Sequence, residues 1–278
     1  MIFEWVIIII LGLVFGSFAN VCIYRMPRDL SIVKPRSSCP NCKKLISWYD
    51  NIPVISYILL GGKCRNCKSK ISVRYPIVEA SCALLFALAY YSLGNQYILP
   101  AFLFLVFCLL VSTAIDFEFQ IIPDEFSISL IIVGLLTSFI NVFLAGTMSA
   151  RVLESFLGFL AGGGSLLLVA VAGKFIFKKD AMGGGDIKLM AGVGAFIGWE
   201  RVLFAIFIAC FAGSIVGISL ILLKKIKKQQ PIPFGPYLAL GSIITLVSPN
   251  PVIIINFLFE LEEKFLIKYF FTNLQTLR

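Results

Sequence analysis

A chain of 278 residues that is 59% hydrophobic and 14% charged, with a mean hydropathy of +0.95, has too little polar surface for a water-soluble globule. Its net charge of +9 comes from 24 Lys and Arg set against 15 Asp and Glu, and histidine is absent. The composition points to an integral membrane protein, and the missing imidazole excludes Ser-His-Asp and Cys-His centres and HExxH metallopeptidase sites, leaving carboxylate, lysine or thiolate chemistry.

The first apolar run, 2–24, has the length of a crossing, because about 20 apolar residues traverse a ~30 Å hydrocarbon core. Glu4 stands where a secretion signal carries basic residues, and Arg25 and Arg28 follow the run, so an uncleaved first span is expected rather than a signal peptide. Residues 25–76 are polar and long enough for a separate module. They contain Cys39-Pro40-Asn41-Cys42 and Cys64-Arg65-Asn66-Cys67, two C-x2-C pairs with 21 residues between them. Each pair can give two sulfurs to one edge of a tetrahedron, as Zn2+ requires, and four protein ligands leave no position for a reactive water. Cys39, Cys42, Cys64 and Cys67 are therefore read as a structural Zn2+ site. Two disulfides or four idle thiols are the competing readings, which a reducing cytosol disfavours. Cys22, Cys82, Cys108 and Cys210 sit singly in apolar runs and are expected to pack.

Further apolar runs at about 77–93, 97–115, 126–145, 152–176, 187–199, 202–223 and 237–258 bring the expected fold to an all-α polytopic membrane protein. It has about eight transmembrane helices and a small cytosolic zinc-ribbon-like loop; the run at 187–199 is short and glycine-rich. Eleven Lys and Arg lie from Arg25 to Arg74, and Lys224, Lys225, Lys227 and Lys228 form a second cluster, whereas the turns near Gly94 and Gly146 carry almost none. The positive-inside rule puts both clusters in the cytoplasm and the N-terminus outside. The basic residues are tied to span ends and lack a ladder of stacking aromatics, so the lipid bilayer is an expected partner and nucleic acid is not. The chain thus divides into a first helix (1–24), a cysteine loop (25–76), a membrane domain (77–258) and a tail (259–278). The tail's mixed charges and apolar residues suggest an interfacial helix.

Within the membrane domain two carboxylates stand out, because an ionisable group at membrane depth costs roughly 2.5 to 3.5 kcal/mol on insertion scales and is retained for a reason. Asp116 ends the third apolar run and is followed by Ile121-Ile122-Pro123-Asp124, where proline stops one helix and starts another segment. Asp186 closes Met182-Gly183-Gly184-Gly185-Asp186, and the glycines let backbone approach closely just before a helix whose first turn favours a carboxylate. An ordinary helix-capping role for Asp186 is the plainer reading. Both aspartates fall on one membrane side in this topology. Two carboxylates held together share a proton, so one can act as general base on a water while the other polarises a scissile carbonyl.

At these residues the sequence resembles the type IV prepilin peptidases, bifunctional leader peptidases and N-methyltransferases among the GxGD aspartic proteases. The likeness runs through Gly16-Ser17-Phe18-Ala19-Asn20-Val21 with Tyr24-Arg25-Met26-Pro27, both cysteine pairs, Trp48-Tyr49-Asp50-Asn51-Ile52-Pro53, Gly62-Lys63-Cys64-Arg65, and Ile71-Ser72-Val73-Arg74-Tyr75-Pro76 with Glu79. It continues through Asp116 with Ile122-Pro123-Asp124, Gly183-Gly184-Gly185-Asp186 with Lys188, and Pro233-Phe234-Gly235-Pro236. The resemblance implies Asp116 and Asp186 as the catalytic pair, supported by Asp124, Gly183, Gly185 and Lys188. It also implies cleavage of prepilins or pseudopilins after a Gly, at the cytosolic face of the bacterial inner membrane. Methylation of the new N-terminus from S-adenosylmethionine would follow. No G-x-G-x-x-G follows a predicted strand, so no Rossmann-type pocket is expected for that donor. The likeness points instead to the first span and residues 25–76, with Gly62, Glu79, Asn20 and Arg25 as candidates that packing or hydrogen bonding alone would equally explain.

Two other readings compete. A presenilin-like intramembrane protease also uses GxGD, but its tyrosine before the first aspartate is Ile115 here and it has no cysteine loop. An ion or proton transporter would use the aspartates for binding, with inverted repeats that this sequence does not display.

Overall fold

The computed structural model describes residues 2–178, 182–225 and 232–248. Among the described residues the chain forms α1 (Ile2–Arg25), the short α2 (Ile55–Leu59), α3 (Arg74–Leu93), α4 (Leu99–Phe119) and α5 (Asp124–Thr137). These are followed by α6 (Met148–Phe177), α7 (Gly184–Ile197), α8 (Trp199–Leu222) and α9 (Gly235–Val247). They contain no β-strand, only isolated bridges pairing Ser38 with Leu45 and Lys63 with Lys70. All the helices belong to one compact unit, Met1–Val247; of the second unit, Ser248–Arg278, only Ser248 is described. The tail at 259–278, the second half of the eighth predicted span, and Lys227 and Lys228 lie outside the described residues.

Among the described residues five helices, α1, α3, α4, α6 and α8, are long and apolar enough to cross a membrane. Helices α5, α7 and α9 also coincide with predicted spans, but they have 14, 14 and 13 residues. At about 1.5 Å per residue each reaches only about 20 Å, short of a ~30 Å core.

Helix α4 lies at the centre, packed against α1, α3, α5 and α9. Ile8, Gly12, Gly16, Ala19 and Ile23 line the buried face of α1, repeating every three or four residues as a helical stripe must. They pack on α3 so closely that a Cβ on Gly16 would stand 2.6 Å from the Glu79 Cα. Cys22, Cys82 and Cys108 are buried as expected, whereas Cys210 is exposed because it lies on an outward face of α8.

Helix α7 is the most enclosed of the short helices, with Leu189 through Ile197 all buried. It presses against α6 at glycines on both partners: a Cβ on Gly158 would overlap the Gly194 carbonyl, and one on Gly194 would overlap that of Gly158. Its last carbonyls are satisfied from other elements. Asn141 Nδ2 donates to Phe196 O at 2.8 Å and Ser155 Oγ donates to Ala195 O at 2.7 Å. The chain leaves through Gly198, whose φ of 82° suits glycine, straight into α8.

Candidate active site

Asp116 sits near the C-terminal end of α4, which runs one turn beyond the predicted stop. The helix closes on Gln120, in a left-handed conformation (φ 55°) with its N–H bonded to the Asp116 carbonyl. Ile121 and Ile122 then lead to Pro123, extended at φ −61° and ψ 133°, and α5 begins with Asp124 in its first turn. The carboxyl of Asp116 is buried, 6% exposed, and its Oδ2 accepts the Gly235 N–H at 2.8 Å from the first residue of α9.

Asp186 reaches the same place from α7. The helix starts at Gly184, three residues earlier than the sequence suggested, with Gly183 as N-cap; Asp186 is therefore the third helical residue. Its carboxylate takes the backbone N–H of Gly183, the reach-back half of a capping box. The capping role and a place in the site thus coexist in one side chain. Asp116 lies close enough for its charge to act on Asp186, so the two aspartates, 70 residues apart in sequence, share one electrostatic site.

The flanking residues explain how the two helix ends meet. A Cβ on Gly185 would stand 2.8 Å from Ile122 Cβ, so glycine lets the start of α7 lie directly on the segment joining α4 and α5. A Cβ on Gly184 would meet nothing within 4 Å, and one on Gly183 would meet Asp186 Oδ2 at 3.2 Å. Lys188 Nζ donates to both oxygens of Asp124, at 2.8 Å each, tying the first turns of α7 and α5. Both side chains are about half exposed, where such pairs contribute about 0–1 kcal/mol, so the clamp orients more than it stabilises. On the other flank Arg74, opening α3, is paired with Glu118, two residues beyond Asp116. Arg28 lies over the Phe119 ring.

The four cysteines converge in the loop. Their sulfurs all lie within 4.8 Å of one another, and Cys39 Sγ is 3.8 Å from Cys67 Sγ. Zn–S bonds of about 2.3 Å in a tetrahedron separate the sulfurs by about 3.8 Å, so this geometry fits a closed Zn2+ site. Both knuckles are built alike. Cys39 N–H bonds Lys44 O and Lys43 N–H bonds Cys39 O, each at 2.9 Å; Cys64 N–H bonds Ser69 O at 2.8 Å and Lys68 N–H bonds Cys64 O at 3.0 Å. Lys43 and Lys68 occupy the same left-handed position, φ 59° and 58°. This local repeat was missed in the sequence, although Cys-Pro-Asn-Cys-Lys beside Cys-Arg-Asn-Cys-Lys carries it. Ser69, through its hydroxyl and its backbone, draws the Cys67 thiol down to about 6, favouring the thiolate a metal needs. Arg65 forks onto both Asp50 oxygens and holds that carboxyl below the usual range.

Of the residues suggested for methyl transfer, Asn20, Arg25 and Glu79 act in the structure as fasteners and Gly62 as a turn. Asn20 Nδ2 donates to Tyr75 O at 3.1 Å and Gly16 O at 3.3 Å. Arg25 donates to Ser31 O at 2.8 Å and Pro35 O at 2.7 Å. Buried Glu79 accepts the Val54 N–H at 2.7 Å, holding a β-branched residue at φ 61°, and Ser17 also bonds it. Gly62 has φ 65°, and a Cβ there would meet the Tyr57 hydroxyl at 3.0 Å. The sequence carried no signal for the Val54 conformation or for the Gly235 amide on Asp116.

Residues 10–93 match the model of the bacterial peptidase A24 N-terminal domain, and residues 103–218 that of the type IV leader peptidase family. A prepilin leader peptidase/N-methyltransferase of Pseudomonas aeruginosa is 34% identical over 262 residues, 86% of this chain and 88% of that protein. The chain belongs to the type IV leader peptidase family. Another such relative, a prepilin leader peptidase/N-methyltransferase of Neisseria gonorrhoeae, is 33% identical over 267 residues, 87% of this chain and 90% of that one. One from Myxococcus xanthus is 38% identical over 217 residues, 78% of this chain and 63% of its own length. No solved structure matches. Membership of the leader peptidase family accounts for motifs at both ends of the described chain, in the cysteine loop and at the α4–α7 junction.

Proposed function

We propose that this protein is a membrane aspartic endopeptidase that removes the basic leader of a prepilin or pseudopilin after a Gly and then N-methylates the exposed terminus. The observation that carries the reading is that the start of α7 lies directly on the segment after α4, Gly185 against Ile122, which brings Asp186 near enough to the buried Asp116 for their charges to interact. In such a pair one carboxylate takes a proton from water as the water oxygen attacks the scissile carbonyl carbon. The other, protonated, gives its proton to the carbonyl oxygen. Collapse of the tetrahedral adduct breaks the C–N bond, and the amine leaves with a proton. Gly183, Gly185, Asp124 and Lys188 serve this step by setting the two helix ends against each other.

The site is assigned to the cytosolic face of the bacterial inner membrane, with the N-terminus outside and α5, α7 and α9 completing eight spans. The distribution of Lys and Arg supports that topology. A substrate with a basic leader and an apolar helix would lodge at that face, where Glu118, Asp124 and Glu125 favour its positive charge.

Cys39, Cys42, Cys64 and Cys67 would hold Zn2+, which with four thiolates supplies structure to residues 25–76 and no reactive water. S-adenosylmethionine would supply an electrophilic methyl group. Arg25 and Glu79 support this half by fastening the loop to α1 and α3, Asn20 by tying α1 to α3, and Gly62 by turning the loop against Tyr57. The relatives favour neither the presenilin-like nor the transporter reading.

Co-expression with a prepilin tests the assignment. Mass spectrometry of the substrate is expected to show a shortened, methylated N-terminus with the wild-type chain and an intact leader with Asp116→Ala or Asp186→Ala. Normal processing by either inserted variant would refute it.

A further inference from the structure

Helix α9 begins Gly235-Pro236, and the order of those two residues determines which amides its tip can offer. Pro236 has no N–H, and the Tyr237 N–H is bonded to Phe234 O at 3.0 Å. The Gly235 N–H therefore points outward as the donor at the tip, and it meets Asp116 Oδ2 at 2.8 Å across 119 residues of sequence. The approach requires glycine, since a Cβ there would stand 2.9 Å from Oδ2 and 3.3 Å from the Asp116 Cβ and Cγ. The side-chain cations near the site have other partners. Lys188 of α7 is paired with Asp124 of α5, Arg74 of α3 with Glu118, and Arg28 lies over Phe119; Asp186 is the titratable neighbour from α7.

We infer that the backbone N–H of Gly235 is a positioning group for leader cleavage, holding Asp116 Oδ2 so that Oδ1 is the oxygen turned to the shared proton and the attacking water. The inference rests on the peptidase reading above and adds a division of labour within one carboxyl group. The carbonyl oxygen of a protonated carboxyl is the stronger acceptor, so an amide on one oxygen favours the acid proton on the other, and fixing that oxygen fixes the plane of the carboxylate. A carboxyl held at one oxygen keeps the other aimed, which matters because misplacement by about 1 Å can cost on the order of 100-fold in rate.

The test removes one main-chain donor without adding bulk. The purified full chain is prepared with glycolate at position 235 by nonsense suppression, turning the amide into an ester. A matched ester at Tyr237 breaks an ordinary turn bond in the same segment. Cleavage of a peptide with a basic leader and an apolar helix is measured, together with methylation of the same peptide supplied already cleaved. The Gly235 ester is expected to lower kcat for cleavage about 10- to 100-fold with KM within about 3-fold, because a hydrogen bond to a charged group is lost. The Tyr237 ester should remain within about 3-fold of wild type, and methylation should be unchanged in both. Gly235→Ala, which adds the intruding Cβ, should lose more than the ester. A Gly235 ester with wild-type kcat, equal losses in the two esters, or a loss confined to KM would overturn the inference. Asp116→Ala is run alongside: if it still cleaves, the peptidase assignment fails and this inference with it, whereas an inactive Asp116→Ala beside a fully active Gly235 ester breaks this inference alone.

Discussion

The cysteine loop and the α4–α7–α9 junction hold their functional groups by different means. In residues 25–73 the backbone makes only short helical turns and two isolated bridges, many side chains are exposed, and order comes from four sulfurs and a few fasteners. At the junction two carboxylates ride on the ends of packed helices, fixed by glycine contacts and backbone amides with no ligand needed. A metal can organise a segment with little core of its own, whereas a proton-sharing pair that activates one water needs walls that hold back bulk solvent and do not yield. The comparison teaches that the two proposed activities should fail separately.

The largest expected effect is at the junction. Asp116→Ala and Asp186→Ala should each reduce leader cleavage by at least about 1000-fold while metal content stays at one Zn2+ per chain, measured on the same purified protein. Next, Cys39→Ser or Cys67→Ser should abolish zinc binding, read by elemental analysis, and lower methylation far more than cleavage. A variant that keeps its metal, or loses cleavage first, would break the comparison. Gly185→Ala should cut cleavage about 10- to 100-fold without altering zinc, because the added methyl pushes α7 off Ile122. Glu79→Gln should lower methylation several-fold by loosening the Val54 turn. Val54→Gly, which accepts that φ freely, should restore part of it. The smallest effect belongs to Lys188→Ala, where loss of a half-exposed pair should change the cleavage rate by no more than about 5-fold.

Much of this was legible in the sequence, and the limits have physical causes. The aspartates, the cysteine pairs and the apolar runs announce themselves because charge, thiol spacing and hydropathy are side-chain properties. Five of the described helices meet the length the hydropathy implied, whereas α5 is shorter than its run because Ser138 ends it without interrupting apolar composition, and α7 keeps about the length of its short run but starts earlier, at Gly184, and stops at Gly198. The extension of α4 past Asp116 rests on Gln120 adopting a left-handed cap, a state that composition does not reveal. The contact of Gly235 with Asp116 is made by backbone. A glycine beside a proline reads as a turn, and nothing in its letters says which carboxylate its amide will meet.

The glycine seam between α6 and α7 has a mechanical consequence. Gly158 and Gly194 bring the two backbones so close that a residue with a Cβ at either position would run into the partner's carbonyl, so the seam accepts α7 only in the register that sets glycine against glycine. Asp186 therefore stands on a helix whose register is set away from it, at Gly194, while Asp116 is held by a single amide at the tip of another helix.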